Sequence, residues 1–449
     1  MKSRAASGKL STMATTTSAH FYAVSLTQSI APKKRMDLGA SDAQSAKWRG
    51  IDSDIEMNVL AIWAADEPLP LLFVTLDLLY PGRRLRAAVE SAAANIPADR
   101  IIVAASHTHR APMTDSTKPA LGTPDEEYML WLTGELTGAV KQVLQAPRQS
   151  VSISVGDTSA AHSINRRLRK RIVVARRLRF NDVVNAPNPD GPTDERLTAI
   201  IVRDAAGQPI ALVWNYSCHP VGGPVGNAVS SHFPGAVRES VRDALGAPAL
   251  PVLFFQGFSG DVRPNASTKV HSVRRRMRRI ISGRLFEDMT WAAYSDWCRG
   301  LSAVLVRALD GAVPVSESGL TGRRLLIPAD RIARGRDLGV VSFGRLTIGD
   351  LITIHTASGE LVVDYSLRAR EAASSRFILC VGCTDDVVGY IPSSRVQAEG
   401  GYEGGGFSRA FGLEGLEDDV EGIVDSAFRA LDENGGCPSE DPSCATKKP

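Results

Sequence analysis

The sequence predicts an α/β fold in which mixed β-sheets are flanked by helices. Apolar runs that end in turn residues alternate with helix-like segments through the last third of the chain. Nearer the start, the apolar runs Leu71–Leu79 and Ile101–Ala105 enclose the helix-like segment Arg83–Ala94. This strand–helix–strand order is typical of α/β proteins, which place their sites where strands end. Two histidines, His107 and His109, follow the second of these runs.

The remaining elements follow from apolar runs for strands and amphipathic stretches for helices. Turn residues, Asp66-Glu67-Pro68 and Ala206-Gly207, separate two pairs of strands. Strands are expected at Phe21–Leu26, Val59–Ala64, Val151–Val155, Leu197–Val202, Ile210–Trp214, Val252–Phe255, Val340–Ile348, Leu351–Ile354 and Phe377–Val381. Helices are expected at Asp125–Gln145, Ala236–Ala244, Phe286–Leu309 and Gly415–Leu431, and a further helix is expected to end at Ala373. The Pro/Gly/Asn-rich stretch Asn185–Pro192 is expected to be a loop.

Length and composition describe a globular protein with one catalytic domain, expected over residues 21–432. Of the 449 residues, 43% are apolar and 22% are charged, and the net charge of +3 predicts no nucleic-acid partner. No window of about 18 residues is continuously apolar, so we expect no stable membrane insertion. Residues 1–20 are Ser/Thr/Ala-rich and lack the apolar core of a secretory signal, which favours a flexible leader and a cytoplasmic location. Residues 433–449 are expected to form a disordered tail.

The cysteines and the arginine clusters carry weaker signals. Cys380 and Cys383 have CxxC spacing, but they follow an apolar run and no second CxxC exists, so we favour buried thiols over a metal or redox site. The segment Arg166–Arg179 holds seven arginines and one lysine and fits either a solvated strand face or an anion-binding wall. The segment Arg274–Arg279 holds five arginines and fits either a mobile loop or a substrate lid.

The strongest functional signal is the segment Ser106–Pro112, which contains the His107/His109 pair. Side chains at i and i+2 at the end of a strand point the same way, and histidine is the commonest ligand of catalytic zinc. An isolated pair would more often be two surface histidines. Its weight comes from other polar residues that follow apolar strands, namely His219, Glu360 and Tyr390. Together they suggest a metal site assembled from distant segments, although Glu360 alone fits the cap of a following helix equally well.

Several motifs, in the same order, resemble the neutral/alkaline (non-lysosomal) ceramidase family over roughly residues 20–430. They are SHTHRAP at 106–112, INR at 164–166, SCHP at 217–220, SSHFPG at 230–235, QGFSGDVRPN at 256–265, SGE at 358–360, YIPS at 390–393 and YEG at 402–404. The resemblance implies a divergent member of a family of zinc-dependent amidases with a large α/β catalytic domain.

The resemblance also implies roles for individual residues. The family's zinc-ligand positions are occupied here by His107, His219, Glu360 and Tyr390. The positions that line the substrate and stabilise the tetrahedral oxyanion are occupied by His109, Arg166 and Tyr402. An imidazole, a guanidinium and a phenol can each donate a hydrogen bond to developing negative charge.

The sequence departs from the family pattern at three points. Arg263 stands where the family has the serine on which its mechanism relies, and an arginine acts neither as nucleophile nor as base. A guanidinium there suits an anionic substrate group. Arg166 and Asp261 are further candidates for contact with the substrate. His232 replaces an aspartate, which suggests an extra metal-binding or proton-transfer histidine. No segment resembles the family's C-terminal immunoglobulin-like domain or its signal peptide.

These observations predict a ceramidase-like zinc amidohydrolase that cleaves a carboxamide of a small, polar or anionic, soluble substrate by a metal-activated water. Three alternatives stay open. The first is a true ceramidase or another N-acyl lipid hydrolase. The second is an esterase or lactonase, since a metal-activated water does not distinguish these acyl groups by itself. The third is a non-catalytic binding protein in which Arg263 fills the nucleophile's place. The expected partner is a small-molecule substrate, and a homo-oligomer is compatible with the sequence.

Overall fold

The computed structural model describes residues 21–39, 49–174, 178–224, 226–266, 286, 289–316, 319–335 and 338–433, without the side chains of residues 171–182. The predicted leader, the tail beyond residue 433 and the segment Arg274–Arg279 lie outside the described residues. The strands are β1 (Phe21–Ser29), β2 (Glu56–Ala64), β3 (Leu71–Leu76), β4 (Ile101–Ala105), β5 (Gln149–Ser159), β6 (Ser163–Val174), β7 (Leu178–Asn188), β8 (Arg196–Asp204), β9 (Pro209–Tyr216), β10 (Val252–Gln256), β11 (Val262–Pro264), β12 (Val313–Pro314), β13 (Leu320–Pro328), β14 (Ala333–Gly335), β15 (Val340–Ile348), β16 (Ile352–Ala357), β17 (Glu360–Leu361), β18 (Phe377–Val381), β19 (Tyr390–Ile391) and β20 (Leu413–Leu416). The helices are α1 (Gly82–Ala92), α2 (Glu126–Gln145), α3 (His232–Leu245), α4 (Trp291–Asp310), α5 (Asp364–Ala372), α6 (Ser394–Glu399) and α7 (Val420–Asp432).

Two mixed sheets pack face to face at the centre of the described chain. The larger sheet has the order β10-β9-β8-β5-β1-β2-β3-β4, with β12 beside β5, and the smaller sheet has the order β13-β15-β16-β18. Within them, β3 and β4, β9 and β10, and β16 and β18 are parallel pairs. Buried side chains of both sheets, including Phe73, Val213 and Ile354, form one shared apolar cluster. This inter-sheet core is a main source of fold stability, because burial of apolar surface drives folding.

Helices cover the outer faces of both sheets, which gives four layers in the order α/β/β/α. Helices α1 and α2 pack on one half of the larger sheet, as Leu85 and Leu132 do against Val74. Helices α3 and α4 pack on its other half. Helices α5 and α7 contribute to the cluster on the outer face of the smaller sheet, where Val424 joins Phe343. Three smaller ladders, β11-β6-β7, β14-β20 and β17-β19, complete the description.

The predicted α/β class with mixed sheets and flanking helices is confirmed. Several element boundaries differ from the prediction, among them those of β7, α4 and α7. Strand β7 continues to Asn188, into the predicted loop, because Asn188 pairs with Asn165 of β6. Helix α4 begins at Trp291 rather than at Phe286. The Thr290 side chain caps this start by accepting a hydrogen bond from the Ala293 amide.

The closing helix differs in the same way. Residues 413–416 form strand β20 against β14, and α7 begins only at Val420, capped by the Asp419 side chain, which accepts from the Gly422 amide. Both cysteines of the CxxC pair are free and buried, as the apolar run before them indicates. Across the residues that the structure describes, no helix combines the length and the apolar character needed to cross a membrane.

Candidate metal centre

The candidate centre takes its side chains from segments that follow strands of both sheets. His107 lies two residues beyond β4, and His219 lies three residues beyond β9. Glu360 follows β16 after a two-residue turn and pairs in parallel register with Tyr390. His107 has a φ of 64°, an uncommon conformation for a residue with a side chain. Strained backbone of this kind is tolerated where the surrounding structure fixes it, and it clusters at functional sites.

Close backbone approach holds these segments together. The Gly260 amide donates to the Leu361 carbonyl at 2.8 Å, and the His219 amide donates to the Val262 carbonyl at 3.1 Å. A Cβ at Gly260 would lie 2.7 Å from the Glu360 carbonyl oxygen, so a residue with a side chain does not fit. The turn after β10 therefore fixes His219 and Glu360 relative to each other.

Three imidazoles converge at one point. The Nε2 atom of His219 lies 3.0 Å from Nε2 of His107 and 3.1 Å from Nε2 of His109. The three side chains can each offer a ligand atom within 4.8 Å of the others. His107 and His219 are buried, whereas His109 is half-buried. Tetrahedral zinc with ligand bonds of about 2.0–2.1 Å places neighbouring ligand atoms roughly 3.3–3.4 Å apart, so the observed spacing is close to that of a metal shell.

The hydrogen bonds of the rings identify which nitrogens face the centre. Nδ1 of His107 lies 3.1 Å from the Leu79 carbonyl oxygen, and Nδ1 of His219 lies 3.4 Å from the Ser259 carbonyl oxygen. Because a carbonyl oxygen only accepts, each Nδ1 carries a proton, and in the neutral form of either ring the Nε2 lone pair is directed toward the centre. Two lone pairs 3.0 Å apart repel each other unless positive charge lies beside them.

The electrostatics also call for positive charge at this point. Burial, followed by the charges of Arg166 and the other two histidines, holds the pKa of His219 well below its usual range. Burial opposes charge on His107, but Cys383 and Glu360 raise its pKa well above the usual range. A proton on His107 can bridge to one partner at a time, whereas a metal ion satisfies several lone pairs together. The donor set therefore fits a divalent metal.

The Glu360 carboxylate completes the inner arrangement. Its Oε2 atom lies 3.3 Å from Nε2 of His107 and accepts no hydrogen bond from the residues that the structure describes, while Oε1 accepts a hydrogen bond from the Tyr80 hydroxyl. Burial raises the pKa of Glu360, but His107, Tyr80 and Tyr390 outweigh it and lower the pKa to about 2. Glu360 is therefore an anion with one oxygen held by Tyr80 and the other directed at the imidazoles.

Tyr390 and Arg166 form the next part of the same buried network. The Arg166 guanidinium donates to the Tyr390 hydroxyl oxygen at 3.1 Å, to the Gly260 carbonyl at 2.7 Å and to Glu403 at 2.7 Å. Glu403 also accepts from Arg167 at 2.9 Å. Burial raises the pKa of Tyr390 well above its usual range, with Glu360 acting in the same direction and Arg166 in the other.

Comparison with known proteins gives a result at the level of structure. No model of a known protein family and no curated protein matches the sequence. Solved structures do match. The crystal structure of neutral ceramidase from Pseudomonas aeruginosa aligns over 95% of this chain and 78% of its own, with a TM-score of 0.71 and 14% sequence identity. A structure of a ceramidase complexed with C2 gives the same values.

The chain has the fold of neutral ceramidase. The resemblance inferred from the ordered motifs is confirmed for the fold, including its extent, since both alignments cover nearly the whole chain. At 14% sequence identity, the structural similarity to ceramidase shows the fold but not the role of any individual residue. The roles must be argued from the contacts of this chain.

The structure brings together most of the side chains that the ceramidase resemblance selects. The imidazole group differs from the predicted ligand set in one respect, because it includes His109, which the resemblance places beside the substrate. Tyr402 lies at the opening of the network, with its side chain 45% exposed and its ring centroid 5.4 Å from that of Tyr390. Its predicted contact with the oxyanion stays a prediction.

His232 lies at the start of α3, with a φ of 52° and a side chain that is almost fully buried. Its Nε2 atom has no hydrogen-bond partner within the described part of the chain. Burial, followed by the charges of Arg110 and His109, holds its pKa well below the usual range. A neutral imidazole near His109 suits proton transfer, and the role predicted for His232 stays a prediction.

Asp261 lies where substrate has little access. Its side chain is fully buried, and its two oxygens accept hydrogen bonds from the Val363 amide at 2.8 Å and the Asn165 side chain at 2.9 Å. Burial raises its pKa to about 6. These contacts favour a structural role for Asp261 over the substrate contact expected from the sequence.

Arg263, the main departure from the ceramidase pattern, lies along the segment that follows His219. Its guanidinium carbon is 4.0 Å from the centroid of the Phe286 ring. A Cβ at Gly222 would lie 2.2 Å from the Arg263 Nη2 atom, so the guanidinium rests directly on the Gly222 backbone. Stacking on an aromatic ring is a common environment for arginine, and it leaves the predicted grip on an anionic substrate untested.

Three residues of the network were missed by reasoning from the sequence. Tyr80 immediately follows the apolar run Leu71–Leu79, and its hydroxyl donates to Glu360. Glu403 lies inside the YEG motif and pairs with two arginines. Cys383 lies beside His107, where it raises the pKa of the imidazole. Tyr80 could have been found because it directly follows an apolar run. Glu403 could have been found because it lies within a motif that resembles the ceramidase family.

Proposed function

We propose that the protein is a metal-dependent amidohydrolase that uses Zn²⁺ to cleave a carboxamide of a small, polar or anionic substrate. The observation that carries this proposal is the convergence of the His107, His109 and His219 nitrogens, with two ring tautomers fixed by backbone carbonyls. The neutral ceramidase fold supports amide hydrolysis as the reaction class. When bound, Zn²⁺ would act as a Lewis acid and activate a water molecule as the nucleophile.

The buried side chains of the network would hold the metal. We assign His107 and His219 as ligands because their Nδ1 contacts fix the direction of their Nε2 lone pairs. Glu360 would be a third ligand through Oε2, since Oε1 is already occupied by Tyr80. Tyr390 would be the fourth, and Arg166 favours its ionised form by donating to the phenol oxygen.

His109 and Tyr402 are the members of the group that solvent reaches most easily. His109 is half-buried, and Tyr402 is 45% exposed. We assign His109 to proton transfer with the substrate, and Tyr402 to a hydrogen bond with the negative charge that develops on the carbonyl oxygen. Arg166 is fixed by three acceptors, so it would stabilise this charge through its field and through the position of Tyr390.

Elemental analysis of the purified protein tests the proposal. We expect about one zinc per chain in the wild type and loss of the metal in His107→Ala and Glu360→Ala. His355→Phe is the matched control, because His355 is also a buried histidine but belongs to the smaller sheet, away from the three imidazoles. A wild type that stays metal-free in the presence of supplied zinc would refute the hydrolase.

A substrate panel then separates the remaining activities. It should contain N-acyl amino acids with a free carboxylate, their neutral amides, a short-chain ceramide, and ester and lactone analogues. Faster turnover of the carboxylate-bearing amides, reduced in Arg263→Gln, would support an anionic substrate. Preference for the ceramide would support the activity named for the similar structures. Zinc without turnover of any member would leave a binding protein.

A further inference from the structure

A cavity of about 350 Å³ lies between the outer face of the smaller sheet and helices α5 and α7. Its lining comes from β15, β16 and β18 below and from the two helices and the segment after α5 above. None of its lining residues belongs to the three-imidazole group or to the Glu360–Tyr390–Arg166 network described above. The volume falls in the range of small-molecule sites in proteins, roughly 300–1,000 Å³.

One wall of the cavity carries a buried histidine with unused ring nitrogens. Ile352 and Ile354 point into the core between the sheets, so His355, the next residue on the opposite face of β16, points toward the helices. His355 is 5% exposed and its ring is stacked on Phe428 at a centroid distance of 5.2 Å. Neither ring nitrogen has a hydrogen-bond partner within the described part of the chain, although Nε2 lies 3.4 Å from an Asp432 oxygen.

A second side chain of the lining, Arg368, also has unused donor atoms, although the side chain as a whole is 37% exposed. The Arg368 guanidinium lies 4.7 Å over the Tyr365 ring, and one of its nitrogens donates to Glu421 at 2.9 Å. Among the residues that the structure describes, its buried Nε and Nη2 atoms have no hydrogen-bond partner, and Nη2 lies 3.4 Å from an Asp425 oxygen. Unused buried donors are costly, so two such side chains at one cavity indicate that something else accepts from them.

The rest of the lining indicates the chemistry of the molecule that carries this acceptor. Three arginines, Arg345, Arg368 and Arg429, line the cavity with two carboxylates, Asp425 and Asp432, and a third carboxylate, Glu421, pairs with Arg368 from outside the lining. These charges balance, so an anion is favoured by the unused donors of His355 and Arg368 and not by a net positive charge. The remaining surface is largely apolar and is supplied by Ala369, Ala372, Ala373, Ile378 and Phe428. An anionic group on an apolar body matches both halves of this lining.

We propose that this cavity is a binding site for a small organic carboxylate. Its carboxylate group would accept hydrogen bonds from His355 and Arg368, and its apolar body would lie against the alanines of α5 and the Phe428 ring. Charge-assisted hydrogen bonds of this type are shorter and stronger than neutral ones. The site shares no residue with the metal centre, so this proposal does not depend on the proposed amidohydrolase activity.

Binding of benzoate to the full-length, zinc-loaded protein tests the proposal, with benzamide as the neutral probe of similar shape. Titration calorimetry and ligand-observed NMR should show saturable binding of benzoate and binding of benzamide at least about tenfold weaker. Benzoate can also bind a metal, so the titration is repeated in His107→Ala. Binding at the cavity should persist there, whereas binding that disappears with the metal would refute the proposal.

Two variants locate the site within the cavity. His355→Phe keeps the stacked ring and removes both ring nitrogens, including the Nε2 atom 3.4 Å from Asp432, so affinity for benzoate should fall by about tenfold or more while zinc content stays unchanged. Ala369→Leu fills the apolar end and should also weaken binding. Equal affinity for benzoate and benzamide would refute recognition of a carboxylate, and wild-type affinity in both variants would refute binding at this cavity.

Discussion

Tyr80→Phe removes one hydroxyl from the candidate metal centre and leaves every proposed ligand in place. The Tyr80 hydroxyl donates to Oε1 of Glu360, and both side chains are buried. Without it, Oε1 loses its partner, and the carboxylate is free to turn away from the imidazoles. Hydrogen bonds to charged groups contribute about 1.5–3 kcal/mol. Loss of a partner that orients a metal ligand weakens metal affinity by about 10–100-fold, which is roughly the same free energy.

Competition with a chromophoric zinc chelator measures this effect directly on folded protein. The matched control is Tyr128→Phe, because the Tyr128 hydroxyl is similarly buried but donates to the Ile30 carbonyl at 2.8 Å, and its side chain packs in the cluster between α2 and the larger sheet. We expect Tyr80→Phe to bind zinc about 10–100-fold more weakly and Tyr128→Phe to match the wild type. If Tyr80→Phe is folded and binds zinc as tightly as the control, then Glu360 is not a ligand held by Tyr80.

Three further predictions concern stability. Burial raises the pKa of Asp261 from 3.8 to about 6, so the stability it contributes is present below about pH 4 and is lost as the pH rises through 6. In urea titrations, the free energy of unfolding of the wild type relative to Asp261→Asn should fall by roughly 3 kcal/mol across this window, and a constant difference would contradict it. Glu403→Gln leaves Arg166 and Arg167 without their shared carboxylate and should lower the free energy of unfolding by about 3–5 kcal/mol in the same assay. A decrease below about 1 kcal/mol would contradict the buried ion pairs. Removal of metal by a chelator leaves the lone pairs of the imidazole group facing each other. Zinc at about 100 times its Kd should therefore raise the free energy of unfolding by about 2.7 kcal/mol relative to the chelated protein. A melting temperature independent of zinc would argue against a bound metal.

Much of the fold could be predicted from the sequence because the strands are short apolar runs with clear turn residues between them. Ile101–Ala105 and Phe377–Val381 coincide with strands β4 and β18. Helix starts were less accurate, since apolar residues such as Phe286 extend the periodic pattern beyond the true start. The Thr290 side chain was the better signal, because it accepts a hydrogen bond that the first turn of a helix otherwise lacks.

The centre was predictable only in part, and the reason is sequence distance. His107 and His109 are neighbours, and a strand before them was enough to suggest that both face one side. Tyr80 reaches Glu360 across 280 residues, and Arg166 reaches Glu403 across 237. Contacts of this kind depend on how the two sheets pack. A local pattern contains no information about that packing.

That packing also explains why the centre lies where it does. The histidines follow β4 and β9 of the larger sheet, whereas Glu360 follows β16 of the smaller sheet. The imidazoles and the carboxylate therefore meet only when the inter-sheet core has formed. A metal ion bound by both sets would join the two sheets at the end of that core. Since such a site does not exist in the unfolded chain, the free energy of metal binding adds to the stability of sheet packing. The same coupling would offset the cost of the strained His107 backbone and of the buried charges at a position where neither sheet alone would hold them.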